Sequence, residues 1–278
     1  MVACGVTAAI AIEGVAKTFA GRHVIAGVSA SIGDHEFVSV LGPSGCGKST
    51  LLRLIAGLEP IDGGEVRLFD ARVTAPAADV GFVFQTSNLL PWLDVRGNLL
   101  LGVELDRSAT RPSEAQLAEL IETLGLSGFE ESFPHQLSGG MRHRVAIGQA
   151  LVRNPPILLM DEPFGALDAQ TRAKMQVHLL DIWRNIDVTI LFITHDLDEA
   201  ILLADRILVL KANPGEVQEL IEVPVPRPRG YAQFNTPEFV ATKARLEALI
   251  HPREEEAEGD DTVRPHMIRM TDVSDNVE

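Results

Sequence analysis

Apolar residues recur along this chain in two rhythms. Short, nearly continuous apolar runs fall at residues 9–13, 36–41, Val80–Phe84, Ile157–Met160, Val188–Ile193 and Ile207–Leu210. Runs of that length with few polar interruptions suit strands, and the wholly apolar ones suit central strands of a parallel sheet. Between them the spacing turns helical. Leu51, Ile55 and Leu58 share one face of a helix predicted over Lys48–Leu58, with Gly57 near its end. Ser113–Leu124 behind Pro112, Gly139–Arg153 before Pro155 and Pro156, and Leu197–Ala204 read as further helices. Strands alternating with helices imply βαβ units and an α/β fold with a parallel sheet. The stretch from about Thr86 to Leu151 lacks β-rich runs and predicts a mostly helical insert. Beyond Val223, prolines 224, 226 and 228 alternate with Val225, Arg227 and Arg229, which predicts an extended linker. Thr236 and Pro237 then supply an N-cap and a first helical position for a short helix to about Ile250.

Composition narrows the function classes. The 278 residues are 46% hydrophobic, enough to bury a sizeable core. A formal net charge of −15 argues against general nucleic-acid binding, which needs a basic footprint. Much of the acidity sits in residues 253–278, and that composition predicts a disordered, solvated tail. Two cysteines, Cys4 and Cys46, suggest neither a disulfide framework nor a metal cluster. No signal peptide is expected at the N-terminus, and no apolar run reaches the roughly twenty residues that a membrane-spanning helix needs.

Three motifs carry chemistry. Gly42-Pro43-Ser44-Gly45-Cys46-Gly47-Lys48-Ser49-Thr50 fits the phosphate-binding P-loop pattern, between an apolar strand and a helix start. Its glycines let backbone N–H groups curl around phosphate oxygens, and the helix N-terminus adds positive potential. Lys48 would reach β- and γ-phosphates, and the Ser49 hydroxyl would ligate Mg²⁺. Cys46 reads as a small loop filler. Asp161 and Glu162 stand at the C-terminal end of the run 157–160, where open α/β sheets bind ligands. There Asp161 could hold Mg²⁺ and Glu162 could polarise an attacking water. A solvated strand-end pair is the plain alternative. His195 follows another apolar run; a lone His there is more often structural, but its strand-end position suits orienting water and Glu162.

Leu137-Ser138-Gly139-Gly140-Met141 resembles the signature motif of the ABC ATPases, and only that superfamily joins it to a P-loop, an acidic strand end and a following His in this order. Gln85 matches the family's Q-loop, Ala166-Leu167-Asp168 its D-loop, and Phe19 falls where an aromatic ring stacks on adenine. The resemblance covers about residues 8–222. It implies a P-loop NTPase core with a mixed, largely parallel sheet, an N-terminal antiparallel β part and a helical subdomain over about 86–151. The ATPase domain would then be 1–222, the Pro-rich linker and helix 223–252, and the acidic tail 253–278.

In such a family the signature of one subunit closes on ATP held by the other subunit's P-loop, so a homodimer is implied. Gln85, Ser49 and Asp161 would serve Mg²⁺, with Glu162, His195 and Gln85 in catalysis. Transmembrane permease subunits, and through them a periplasmic or surface solute-binding protein, are the implied partners, at the cytoplasmic face of the membrane. Leu89–Asn98 resembles the surface that receives a permease helix, with Trp92 either its anchor or an ordinary core aromatic. Leu-Leu-Pro-Trp at 89–92, Thr194–Ala200 and Pro-Arg-Pro-Arg at 226–229 look closest to the nitrate, sulfonate and taurine importers. DNA-maintenance and two-cassette translation proteins of the superfamily, a non-hydrolysing regulatory module, and export in place of import are the competing readings. Two departures stand out: around the signature helix His143 and Gln149 occupy positions usually held by Gln and Arg, with Gly148 for Ala, and the extension after about Arg253 does not look like the folded regulatory domain that some importers carry.

Overall fold

The computed structural model describes residues 8–106 and 110–251. Cys4 and the acidic stretch 253–278 lie outside them. The elements run β1 (Ala8–Phe19), β2 (Arg22–Gly33), β3 (Phe37–Leu41), α1 (Lys48–Ile55), β4 (Gly63–Leu68), β5 (Ala71–Arg72), β6 (Val80–Val83), α2 (Val95–Leu105), α3 (Glu114–Thr123), α4 (Gly139–Leu151), β7 (Ile157–Asp161), α5 (Ala169–Asn185), β8 (Thr189–Ile193), α6 (Leu197–Leu203), β9 (Arg206–Lys211), β10 (Glu216–Glu222) and α7 (Pro237–Ile250).

Two sheets form. One is antiparallel, in the order β2-β1-β4-β5, and the other is six-stranded, in the order β10-β9-β3-β8-β7-β6. In the second, β9, β3, β8, β7 and β6 are parallel neighbours and β10 runs antiparallel to β9. The mixed, largely parallel core and the antiparallel N-terminal part match the fold the motifs imply. Every residue of β3, β7 and β8 is buried, which is why those strands read as unbroken apolar runs. The six-stranded sheet separates two cores. One holds α1 and the antiparallel sheet, through Leu51, Leu52, Ile10 and Val28. The other holds the remaining long helices, through Leu99, Ile121, Ile147 and Leu179.

Six elements escape the apolar pattern: β2, β4, β5, α2, α5 and β10. Along β1 and β2 the pairing register shifts four times, so side chains lose strict alternation. The edge strand β10 carries Glu216, Glu219 and Glu222 and keeps one face wet. Residues 95–105, 114–123 and 139–151 are helical inside the predicted insert. Beyond Val223 the chain lies against the second core, where Val225, Phe239 and Leu246 are buried. Thr236 caps α7 by accepting from the Phe239 N–H at 3.4 Å.

Candidate functional site

The backbone leaves β3 at Gly42, where a Cβ would sit 2.6 Å from the Leu210 carbonyl oxygen and 2.9 Å from Cys46 Sγ. Gly47, just before α1, has φ 94° and would press a Cβ to 2.6 Å from Ile25 Cδ1. Only glycine meets both demands, so the loop turns tightly and brings the first turn of α1 to the edge of the parallel strands. Lys48 is buried at that turn, its Nζ donating to the carbonyls of Gly42 (2.8 Å) and Pro43 (3.1 Å). Ser44 and Gly45 are exposed at the loop tip, while Cys46 is buried and its thiol pushed up by burial.

Ser49 Oγ donates to Asp161 Oδ1 at 2.8 Å, tying the loop to the end of β7. Asp161 is buried; burial raises its carboxyl above the usual range, and the Ser49 hydrogen bond pulls the other way. Glu162 has φ 43°, a left-handed conformation that a side chain adopts at a cost of about 1 kcal/mol or more. Its N–H donates to the Ile193 carbonyl at 3.1 Å, which pins it beside the end of β8. Its Oε2 stands 3.3 Å from His195 Nδ1 and 3.5 Å from Gln85 Nε2, the latter at the outer limit of hydrogen bonding. Five of the residues singled out by their motifs therefore converge: Gln85, Ser49, Asp161, Glu162 and His195. The imidazole is two-thirds exposed and free to meet a ligand.

The other motif residues stand apart. Ser138 caps α4 by accepting from the Met141 N–H at 3.3 Å, and Ser138 and Gly139 are exposed. Leu137 is buried, and its carbonyl accepts from Arg142 at 2.6 Å. Gly140 packs so closely that a Cβ would lie 2.7 Å from Thr171 Cγ2. Among the described residues no hydrogen bond joins Leu137–Met141 to the P-loop. Asp168 caps α5 through Thr171 N–H at 3.0 Å. Phe19 is exposed at the end of β1, with Lys17 Nζ 5.0 Å over its ring.

Trp92 is 69% exposed, which rules out a core aromatic. Its loop is held by Asn98, fully buried, which accepts from Leu90 N–H (2.8 Å) and donates to the carbonyls of Leu90, Leu93 and Asp94. One amide side chain gathers four backbone groups, one of its two N–H bonds shared between carbonyls, and so fixes the shape of an otherwise irregular loop. Nothing in the pattern marks Asn98 beyond its place at the end of the motif. His143 is buried with Nε2 unpartnered, and burial lowers its pKa to about 4. Gly148 leaves no room for a methyl: a Cβ would lie 2.4 Å from Leu124 Cδ1 and 2.6 Å from Leu99 Cδ2. Gln149 is eleven residues along α4 from Ser138, about 16 Å at 1.5 Å per residue. The Arg missing there takes no charge from the signature end itself.

A family model described as ABC transporter matches residues 25–165. The aliphatic sulfonates import ATP-binding protein SsuB of Bacillus cereus is 44% identical over 224 residues, covering 79% of this chain and 88% of that protein. The nitrate import ATP-binding protein NrtD of Synechocystis sp. is 43% identical over 227 residues, covering 80% and 85%. Among solved structures, a dimeric ATP-binding cassette in a post-hydrolysis state bound to ADP and Pi superposes with a TM-score of 0.67 at 32% identity, over 78% of this chain and all of that one.

Proposed function

The chain belongs to the ABC transporter family, and from that premise we propose that this ATP-hydrolysing subunit powers uptake of nitrate, a sulfonate, taurine or a related small solute. The sulfonate and nitrate import proteins similar to it support that range. It would act as two copies at the cytoplasmic face of the membrane, beneath a pair of permease subunits that receive solute from a binding protein. Trp92, held out by the Asn98-braced loop, would anchor the permease contact.

The observation that carries the hydrolytic roles is the placing of the Glu162 carboxylate between His195 and Gln85, one residue beyond the Ser49–Asp161 pair. Glu162 would take the proton from the attacking water. His195 would keep that carboxylate oriented and present its exposed ring edge to the γ-phosphate. Lys48, now donating to the Gly42 and Pro43 carbonyls, would turn to the β- and γ-phosphates. Ser49 Oγ and the Asp161 carboxylate are hard oxygen donors 2.8 Å apart, a pairing that fits Mg²⁺ with Gln85 as a third oxygen. Bound there, the ion would neutralise developing phosphate charge. Phe19 would stack on the adenine ring. The exposed N-terminus of α4, with Ser138, Gly139 and Gly140, would meet the γ-phosphate held by a second copy.

The solute assignment is tested with the chain and its permease in proteoliposomes, measuring ATP turnover with binding protein loaded with an alkanesulfonate, taurine or nitrate. Stimulation by one of these and not by an amino acid or a sugar is expected. Stimulation by a sugar alone would overturn the reading.

A further inference from the structure

The helix that follows His195 is gripped by the C-terminal segment at three places. At its C-terminal end, Arg229 is buried and donates to the carbonyls of Ile201, in the last turn of α6, and Ala204, its C-cap. Arg227 donates to the Leu203 carbonyl at 2.8 Å and to Asp205 at 2.7 Å, with its guanidinium 4.2 Å over the Trp183 ring. These two arginines of the Pro-Arg-Pro-Arg motif satisfy carbonyls that a helix end leaves without partners. At its N-terminal end, Lys243 of α7 pairs with Asp198 at 2.7 Å.

The third grip is a chain of hydrogen bonds whose two arms both donate towards Glu199. Tyr231 OH donates to Gln176 Oε1 (2.5 Å), Gln176 Nε2 donates to Glu199 Oε1 (2.8 Å), and Thr194 Oγ1 donates to Glu199 Oε2. Thr194 Oγ1 in turn accepts from the Asp196 N–H at 3.0 Å. The tyrosine therefore fixes which way the Gln176 amide faces, and the amide fixes one oxygen of Glu199. The other oxygen holds Thr194, whose neighbour is His195. Arg172 extends the network sideways, donating to the Leu167 carbonyl at 3.1 Å and lying 3.8 Å from Asp196. Glu199 is buried, so each of its acceptors left empty would carry a desolvation cost.

We propose that the segment from Arg227 to Lys243 is a positioning element for His195, acting through Tyr231, Gln176 and Glu199 on the Thr194–Asp196 turn. Disturbing it shifts the imidazole off Glu162 while the P-loop keeps its grip on nucleotide. The proposal rests on the role given to His195 above.

The test is steady-state ATP turnover of the full chain for Glu199→Gln, Tyr231→Phe, the double variant and His195→Ala, with ATP affinity and Tm measured alongside. Tyr231→Phe removes one hydroxyl from a partly exposed ring and is expected to leave the fold intact. Glu199→Gln should lower kcat about tenfold and Tyr231→Phe about threefold, with KM for ATP within about twofold of the parent. In the double variant kcat should fall no further than in Glu199→Gln alone, because both changes break one chain. Unchanged kcat in Glu199→Gln beside a collapse in His195→Ala would overturn the positioning element alone. Effects that multiply in the double variant, or appear in KM and Tm only, would overturn it as well. Full turnover in His195→Ala would refute the role of His195, and the positioning proposal with it.

Discussion

The starts of α1 and α4 both offer helix N-termini and glycines to an anion, yet they are built differently. The α1 start is embedded: Lys48 is buried, Ser49 is tied to β7, and Gly42 and Gly47 are wedged against β9 and β2. The α4 start is open: Ser138 and Gly139 are exposed, and among the described residues the Ser138 hydroxyl serves its own helix. An embedded site can hold a nucleotide within one chain, whereas an open helix start is complementary to something brought from outside. The neighbouring dimeric cassette is consistent with that something being a second copy.

The sharpest way to break the contrast is at the embedded end. Glu162→Gln keeps shape and the left-handed backbone but cannot accept a proton, so ATP turnover should fall about 10²–10³-fold. Gel filtration in ATP and Mg²⁺ should then show a dimer, because the nucleotide is bound and no longer cleaved. Turnover close to the parent's would remove Glu162 as the base. The next largest effect lies inside α4. His143 is buried neutral, with a folded pKa of about 4 against an ordinary value of 6.5. The unfolded chain takes up the proton first, so this contribution is fully present above pH 6.5 and is lost as pH falls towards 4. The loss is up to about 3 kcal/mol. His143→Gln should flatten this part of the acid limb in a Tm-versus-pH series; an unchanged limb would show that the ring is not desolvated.

A smaller effect tests why α4 departs from its family. Gly148→Ala should gain up to about 1 kcal/mol from helix propensity. Its methyl, however, would meet Leu124 Cδ1 and Leu99 Cδ2, both fully buried, well inside contact distance. Overpacking of this kind costs about 1–3 kcal/mol, so the net change should be a loss of about 1 kcal/mol in denaturant unfolding. A gain in stability would mean that the two leucines move aside freely.

The embedded end is largely legible in the sequence, because its chemistry is local: contiguous glycines, Lys48 and Ser49, and carboxylates ending a wholly buried strand. Reading the strands puts Asp161, Glu162 and His195 at strand ends, and the pairing of β7 with β8 brings those ends side by side. What is not legible depends on distant partners. Asn98, Gln176 and Glu199 are polar residues in ordinary helical surroundings, and only the tertiary structure buries them. The strands β2 and β10 escape the pattern because bulges and a wet edge spoil the two-residue period. Gly148 is a single small residue whose meaning lies in Leu99 and Leu124, far away in the chain.

The smallest expected effect addresses the open end itself. Ser138→Ala removes the hydroxyl that accepts from the Met141 N–H, and an N-cap of this kind is worth about 1 kcal/mol. If α4 starts only as a helix cap, Tm should fall slightly and nothing else should change, and Ser138→Asp, also a good cap, should restore it. If the start receives a phosphate from a second copy, the two substitutions part company. The aspartate would restore the cap yet place a negative charge against the incoming anion, so stability would recover while the ATP-dependent dimer of the Glu162→Gln protein weakens. Alanine would weaken that dimer only modestly, since the backbone N–H groups of α4 remain. Gel filtration of the double variants in ATP and Mg²⁺ reads the difference. A dimer as strong with Ser138→Asp as with the parent serine would close the comparison, leaving α4 a capped helix and nothing more.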